Sequence, residues 1–380
     1  LKPSAASAQP PRLDETQRLA WLRLIRSENV GPASFRALIN RFGGAEAALA
    51  ALPDLAARGG SKRRIVVAGE DVVAAELARA SKLGARFLFR GEPDYPPMLV
   101  VTEAAPPVVA VMGAADIFLR PAVAIVGARN ASLSGIKLTR QLAAELGGAG
   151  FATVSGLARG IDAAAHEASL ASGTIGIFAG GLDKPYPKEN GPLMRRIVDG
   201  GGCLLSEMPF GWEPRAVDFP RRNRIVAALG LGLLVVEAAL RSGSLISARL
   251  AGELGRHVFA VPGSPLDPRA GGTNKLLKDG AILVTEVSDI VDALRPLGSV
   301  PVVLRSHVAE DAETASGDPT ESDRSRVLRA LSPVPAALDD ILAHADIHPG
   351  ALQLILLELD LAGRLERHSG GRVSLLSGST

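Results

Sequence analysis

The sequence predicts an α/β protein: a core with a parallel sheet and helices on both faces, preceded by a small helical domain and followed by a unit of three helices and a β-hairpin. Three observations carry this. From Arg86 to Val284 short apolar runs recur, most of them separated by stretches long enough for a helix. Ahead of them apolar residues repeat at helical spacing, and behind them two short strand-like runs flank Gly370-Gly371. The 41 glycines and 26 prolines suit many strand-to-helix turns better than a helical bundle.

In the first segment Leu19, Leu22, Leu24 and Ile25 lie on one helical face. Asn29-Val30-Gly31-Pro32 breaks the pattern, and Phe35, Leu38, Ile39 and Phe42 resume it before Gly43-Gly44. A second helical pair runs through Leu55 and Val72 to Leu83. The turn resembles one helix-hairpin-helix unit, whose amides can hold a phosphate, although packing of a small helical domain is the favoured reading. Strands are expected at Arg86 to Phe89, Pro107 to Val111, Val123 to Val126, Phe151 to Val154, Ile175 to Phe178, Cys203 to Leu205, Leu233 to Val236, Val258 to Val261 and Ile282 to Val284. Between Pro301 and Asp323, acids mixed with Ser, Thr, Gly and Pro describe a solvated linker. Helices near Val327 to Leu331, Leu338 to His344 and Pro349 to Ala362 then precede strands at Leu365 to His368 and Arg372 to Leu375, a winged-helix pattern. The expected domains are therefore residues 12–84, 85–298, a linker at 299–323, and 324–380. The long last helix carries Glu358 and Asp360 with no Lys or Arg before Arg364. Insertion into a DNA groove is thus electrostatically poor, and packing against the core or a partner is favoured.

Lys and Arg total 42 against 40 Asp and Glu, a formal charge of +2 that excludes a supercharged nucleic-acid tail. Aromatics are 4%, which argues against a platform built mainly on stacked rings and leaves a backbone grip to local Arg and Lys. The single cysteine, Cys203, permits neither an internal disulfide nor a cysteine-based zinc cluster, and a reducing, cytoplasmic location is expected. No apolar run reaches the length of a membrane span, and Leu1 to Arg12 lacks the apolar centre of a signal peptide.

In a sheet of this kind ligands bind beyond the carboxyl ends of the strands. After the first core strand comes Gly127-Ala128-Arg129, with Arg129 where a dinucleotide fingerprint needs glycine and no acid ending the next strand; a nicotinamide cofactor is disfavoured. An Arg beside a helix amino terminus suits phosphate contact, or the capping of a neighbouring loop. Ser155-Gly156-Leu157-Ala158-Arg159-Gly160-Ile161-Asp162, with His166, reads as a small-residue turn tied down by Asp162 and His166. A nucleophile elbow is disfavoured because Thr153 sits where glycine is required. Lys184, Tyr186 and Lys188 lie on a proline-stiffened loop, and Lys188 suits backbone binding. The densest signal is Phe219-Pro220-Arg221-Arg222-Asn223-Arg224 with Arg215 upstream, cations gathered at a helix amino end where they cost stability unless an anion arrives. Arg241-Ser242-Gly243-Ser244 opens the following helix with hydroxyls that suit phosphate binding or simple capping. Many cationic loops suit a polyanion rather than one phosphate. No Walker A sequence and no metal-ligand spacing is present.

These residues resemble the DprA/Smf family of DNA-processing proteins of natural transformation, over most of Ala122 to Thr285. The signatures are Gly127-Ala128-Arg129, Ser155 to Asp162 with His166, Gly181-Leu182-Asp183 with Tyr186-Pro187-Lys188, Ser206-Glu207, Phe219-Pro220 with Arg222-Asn223-Arg224, and Arg241 to Leu245. The resemblance implies an extended Rossmann-like core between a SAM or helix-hairpin-helix-like domain and a winged helix. It implies a non-enzymatic protein without cofactor that binds single-stranded DNA without sequence preference and forms a homodimer. It further implies help in loading the RecA recombinase onto incoming strands covered by single-strand binding protein. Arg129, Lys188, Arg222 and Arg224 are the implied phosphate contacts, with Asn223 in the same motif and Gly127, Ser155, Gly156, Arg159, Ser242, Gly243 and Ser244 around them. Ala128 stands where the family often has Ser, and Ser247 where Thr is common. The competing reading is a nucleotide phosphoribohydrolase using the same groove, disfavoured because Pro262-Gly263 is separated from Gly271-Gly272-Thr273.

Overall fold

A computed structural model describes residues 12–102, 104–298, 318–368 and 370–376. Four helices come first: α1 (Glu15–Arg26), α2 (Pro32–Phe42), α3 (Ala45–Arg58) and α4 (Glu70–Lys82). Asp14 starts α1 through a capping box with Gln17, its carboxylate accepting the Gln17 N–H at 2.8 Å. Pro32 occupies the first turn of α2, and Gly43 ends it in the left-handed region at φ 70°.

The core alternates strands and helices: β1 (Ala85–Phe89), α5 (Pro97–Val100), β2 (Val108–Gly113), β3 (Ala122–Val126), α6 (Leu133–Gly148), β4 (Ala152–Ser155), α7 (Ile161–Ala168), β5 (Thr174–Ile177), α8 (Gly191–Asp199), β6 (Cys203–Ser206), α9 (Asp218–Leu229), β7 (Gly232–Val235), α10 (Ser244–Glu253), β8 (His257–Ala260), α11 (Gly271–Lys278), β9 (Ile282–Leu283) and α12 (Val287–Gly298). These form one nine-stranded sheet in the order β1-β2-β6-β5-β4-β3-β7-β8-β9. The seven strands from β6 to β9 in that order run parallel. The other two differ from the expected parallel sheet, since β1 pairs antiparallel with β2 and β2 antiparallel with β6. Apolar runs carry no direction, so spacing could not reveal this edge.

Strands β3 to β7 are buried at every position, as parallel strands covered on both faces must be. Alternation then splits their side chains between two layers. Leu233 and Val235 join Ile225, Val226 and Ala248 of α9 and α10 on one face. Leu234 and Val236 join Leu142, Ala143 and Ile161 of α6 and α7, with Ile290 and Leu294 of α12, on the other. The chain winds outward from β3 through β4, β5 and β6, then returns to β7 on the opposite side of β3, so the topological switch point lies between β3 and β7.

The remaining elements are α13 (Glu321–Ala330), β10 (Ala336–Ala337), α14 (Leu338–Ala345), α15 (Pro349–Leu361), β11 (Leu365–His368) and β12 (Arg372–Leu375). The three strands pair as β10-β12-β11, giving the winged helix one more strand than the sequence suggested. By their contacts the described residues divide into two compact units, one holding residues 76–298 and the other 12–75 together with 318–376. In the second unit α15 serves two cores. Leu354, Leu357 and Leu361 pack with Leu24, Leu38 and Leu52 of the first three helices, while Leu352, Ile355, Leu356 and Leu359 pack with Val327, Ile341 and Val373. Glu358 is buried between them and holds Arg324 through two hydrogen bonds of 2.8 Å. The sequence favours packing against the core or a partner; the helix packs instead against the first three helices and the other elements of its own unit.

Asn29 caps the same arrangement, its Nδ2 donating to the Leu361 carbonyl at 2.9 Å. The Gly31 N–H of the same turn is held by Ser34 Oγ, so that amide is already engaged. The expected acidic linker needs a shorter span. Residues 299–317 lie outside the described ones, but Asp318 pairs with Arg41 and Arg58, Thr320 caps α13, and Asp323 completes its capping box. Those acids are used by the fold.

Candidate nucleic-acid interface

The floor of the sheet's carboxyl edge is the loop after β4. Ser155 is fully buried and its hydroxyl donates to the Ile125 carbonyl at 2.6 Å. Leu157 follows in the left-handed region at φ 61°, a strained conformation for a leucine that persists because its surroundings over-determine it. Asp162 accepts the N–H groups of Gly156 and Ala158 on either side, at 3.1 and 3.4 Å, and Asn190 Nδ2 donates to the Leu157 carbonyl at 2.9 Å. Gly160, at φ 74°, lies so close to the Ala128 carbonyl that a Cβ could not fit. The amides of Gly156 and Ala158 therefore face the Asp162 carboxylate, and Arg159 is the exposed side chain of this loop.

Arg222 lies beneath that loop. It is 6% exposed, and its Nη1 donates to the carbonyls of Gly156 and of Ile177, the latter at 2.9 Å, joining the ends of β4 and β5. Burial lowers its pKa to about 10, against the attraction of Asp162, so it stays charged at neutral pH. Gly156 is required here, since a Cβ would overlap the guanidinium. Burial raises the Asp162 pKa, opposed by Arg222 and the two loop amides. His166 is fully buried with Nδ1 2.7 Å from Thr174 Oγ1, and burial together with the Arg222 charge pushes its pKa down to about 3. Neutral His166 contributes stability in full above its unfolded pKa near 6.5, and that contribution is lost as pH falls from there toward 3. Denaturant titrations should show stability falling by up to about 1.4 kcal/mol for each pH unit in that window. In His166→Gln this part of the slope should disappear.

At the switch point the loops after β3 and β7 meet. Ser132 caps α6, its Oγ accepting the Gly135 N–H at 2.9 Å. The Glu237 carboxylate, from the end of β7, accepts the Ser132 N–H at 2.9 Å and also the Ser132 hydroxyl. It lies directly over Gly135, where a Cβ would come within 2.5 Å of the carboxyl carbon. The helix terminus that Arg129 was expected to complete with a phosphate thus already holds an anion. Gly127 has no room for a side chain either, because a Cβ would meet Ile161 at 2.6 Å.

Cations line the rim. Arg129 is exposed and its guanidinium stands 5.4 Å from the centre of the Phe219 ring; Tyr186, 46% exposed, meets the same ring edge-on at 5.3 Å. Lys188 and Arg241 are exposed and have no ion-pair partner among the described residues. Arg159 is exposed, with Glu189 only at 3.8 Å. Arg224 is mostly covered and bonds Glu207 and the Ala104 carbonyl, and Arg221 reaches the same Glu207 at 3.3 Å. Asn223 Nδ2 donates to the Gly243 carbonyl at 3.4 Å, and Ser242 and Ser244 share a hydroxyl hydrogen bond of 2.6 Å beside the exposed Gly243. In sheet order the start of α9 beside the end of β6 supplies Arg221 and Arg224, and the segments after β5, β4, β3 and β7 supply Lys188, Arg159, Arg129 and Arg241. Five adjacent strand ends span about 19 Å.

Of the residues singled out from sequence, the structure brings Arg129, Arg159 and Lys188 to the surface, pairs Arg224, and turns Ser155 and Arg222 inward. Sequence reasoning passed over Arg241 as a cation and Tyr186 with Phe219 as an aromatic pair beside Arg129. It also passed over Glu207 and Glu237 as built-in counterions, whose one signal was an acid directly after a buried strand. Leu133, Val217 and Leu240 are exposed on these same loops, so apolar side chains are interleaved with the cations.

A doubly wound core, carried with a helix-hairpin-helix domain and a winged helix and bearing a cationic carboxyl edge, defines a three-part class of DNA-processing protein. Residues 86–295 match the family described as DNA recombination-mediator protein A, residues 15–79 the DprA-like N-terminal HHH domain and residues 311–371 the DprA winged helix domain; the chain belongs to the DprA/Smf family. It is 37% identical to Protein Smf of Escherichia coli over 74% of this chain and 75% of that one. It is 33% identical to a putative DNA processing protein DprA of Mycobacterium tuberculosis over 94% of both. Among solved structures it resembles DNA processing protein A of Streptococcus pneumoniae, with a TM-score of 0.53 and 40% identity over 57% of this chain and 77% of that one. A DNA processing protein A from Helicobacter pylori, described for its single-stranded DNA binding mode, matches with a TM-score of 0.52 and 30% identity over 57% of this chain and 98% of its own. A DNA-processing, recombination-mediator role follows from the family. No helix among the described residues is long and apolar enough to cross a membrane.

Proposed function

We propose that this chain binds single-stranded DNA, without sequence preference, along the carboxyl edge of its sheet, and as a homodimer protects that strand and helps load RecA onto it, with single-strand binding protein as the species displaced. The observation that carries the reading is the row of cations on five adjacent strand ends, of which Arg129, Lys188 and Arg241 have no carboxylate partner among the described residues. Such a row outruns a single nucleotide and matches a chain of phosphates. Arg224 and Arg159 extend it, Asn223, Ser242, Gly243 and Ser244 border it, and Tyr186 offers a ring face to a base. Arg222, Ser155, Gly127 and Gly156 serve it from beneath by fixing the loops. The Helicobacter pylori relative, described as binding single-stranded DNA, supports the same ligand here.

Fluorescence anisotropy with an oligo-dT strand tests the reading. Affinity should exceed that for duplex of the same length and fall steeply with salt, log K against log salt sloping at roughly −0.7 for each phosphate held, so about −3 for four or five contacts. A flat salt dependence, or preference for duplex, would overturn it. Strand exchange by RecA on DNA coated with single-strand binding protein should be faster with the chain present; no acceleration would remove the loading role while leaving DNA binding intact.

A further inference from the structure

Glu237 sits where a doubly wound fold ordinarily seats the phosphates of a nucleotide. That seat has three parts: the loop after the strand beside the switch point, the amides of the helix that follows, and a glycine that lets ligand approach the helix backbone. All three are present between Val126 and Gly135. The loop is Gly127 to Ala131, α6 begins at Leu133 behind the Ser132 cap, and Gly135 leaves its first turn bare. What fills the space is the chain's own carboxylate, bonded to the Ser132 N–H at 2.9 Å and to the Ser132 hydroxyl, with both carboxylate oxygens within 2.8 Å of where a Gly135 Cβ would stand. Two anions cannot share one helix terminus, because the second meets the charge of the first instead of the partial positive charge of the amides.

We propose that Glu237 is a specificity-determining residue: an internal phosphate mimic that closes the nucleotide seat of the fold and so reserves this edge for a polyanion held by the outer cations. It rests on the reading of the edge as a DNA-binding face, and it explains how a nucleotide-binding architecture can work among cellular nucleotides without being occupied by them. Arg129 stands just before this terminus, exposed and without a carboxylate partner among the described residues. With the seat shut, its charge is directed to the rim. An open seat would draw a mononucleotide phosphate inward and compete with the strand.

The test uses inorganic pyrophosphate as probe, titrated into the full chain by calorimetry, with the amide shifts of Ser132 and Gly135 reporting where it binds. The wild type should show no saturable binding at millimolar pyrophosphate. Glu237→Ala should bind at least about tenfold more tightly and perturb both amides, since removing the carboxylate frees the helix terminus. Glu237→Gln, which keeps the shape and loses the charge, should fall between them. A folded Glu237→Ala no better than wild type, or a wild type that already takes pyrophosphate at Ser132 and Gly135, would overturn the proposal. If the alanine variant fails to fold, the same comparison with Glu237→Gln decides. Loss of oligo-dT binding in the wild type, with pyrophosphate gained by the variant, would fail the DNA reading and leave the closed seat standing.

Discussion

Arg222→Ala is expected to destabilise the sheet-bearing unit by about 3–5 kcal/mol at neutral pH, the cost of removing one member of a buried charged group. Two carbonyls, of Gly156 and Ile177, lose their donor, and each unsatisfied buried acceptor contributes about 1–3 kcal/mol to that figure. Asp162 also loses the positive charge that opposes its desolvation. The pH dependence has a definite sign. A carboxyl group whose folded pKa is raised is protonated in both states at low pH and carries its penalty only as pH climbs above the unfolded value. Without Arg222 the Asp162 pKa rises further, so the gap between variant and wild type should narrow as pH falls through the carboxylate range. His166 works in the same direction, because removing the Arg222 charge lets its pKa return toward the ordinary value and softens its acid loss. Urea unfolding at neutral and mildly acid pH checks both statements. A deficit below about 1 kcal/mol at neutral pH would mean that Arg222 does not hold the loops together, and would return it to the set of direct phosphate contacts.

Arg222 also marks where sequence reasoning stops. The alternation of apolar runs located nine strands, most plainly β3 to β7, because a strand buried on both faces needs an unbroken apolar stretch whatever surrounds it. The motif Phe219 to Arg224 marked the right helix for the same reason that Gly127 and Gly156 marked the right turns: their types are rare at such positions without a cause. What spacing could not tell was which way each cation points. Arg222 and Arg224 lie two apart, a half-turn on α9, so one must face the sheet if the other faces Glu207, and only the packed helix decides which. The carboxylates were invisible for a related reason. Glu207 and Glu237 look like ordinary polar strand ends until α9 brings Arg221 and Arg224 to the first and the sheet order puts β7 beside β3 for the second. The second unit was legible as elements but not as one body, since the contact of α15 with α1 to α3 joins residues some 300 apart that share no pattern.

The double variant Arg129→Ala, Lys188→Ala should lower affinity for oligo-dT by about 10²-fold or more at low salt while leaving the unfolding curve within about 0.5 kcal/mol of wild type. Both side chains are exposed, neither has a carboxylate to leave stranded among the described residues, and each stands on a different strand-end loop, after β3 and after β5. The loss therefore measures the ligand rather than the fold. Each charge-assisted contact is worth about 1.5–3 kcal/mol, and Arg129 is held over Phe219 before DNA arrives, so little ordering remains to offset its contribution. The salt slope should shrink by roughly 1.4, two phosphates at about 0.7 each, and by the same amount for strands of any sequence. Arg224 makes the useful contrast. Its charge is already paired with Glu207, and its removal would strip that buried carboxylate of the nearer of its two guanidinium partners, so its variant should lose stability as well as affinity. If the double variant bound as tightly as wild type, the free cations would be ordinary surface charges and the grip would have to come from the paired and buried ones. Sheet order makes that outcome hard to sustain, because the paired arginines occupy one end of the row and the free cations its length.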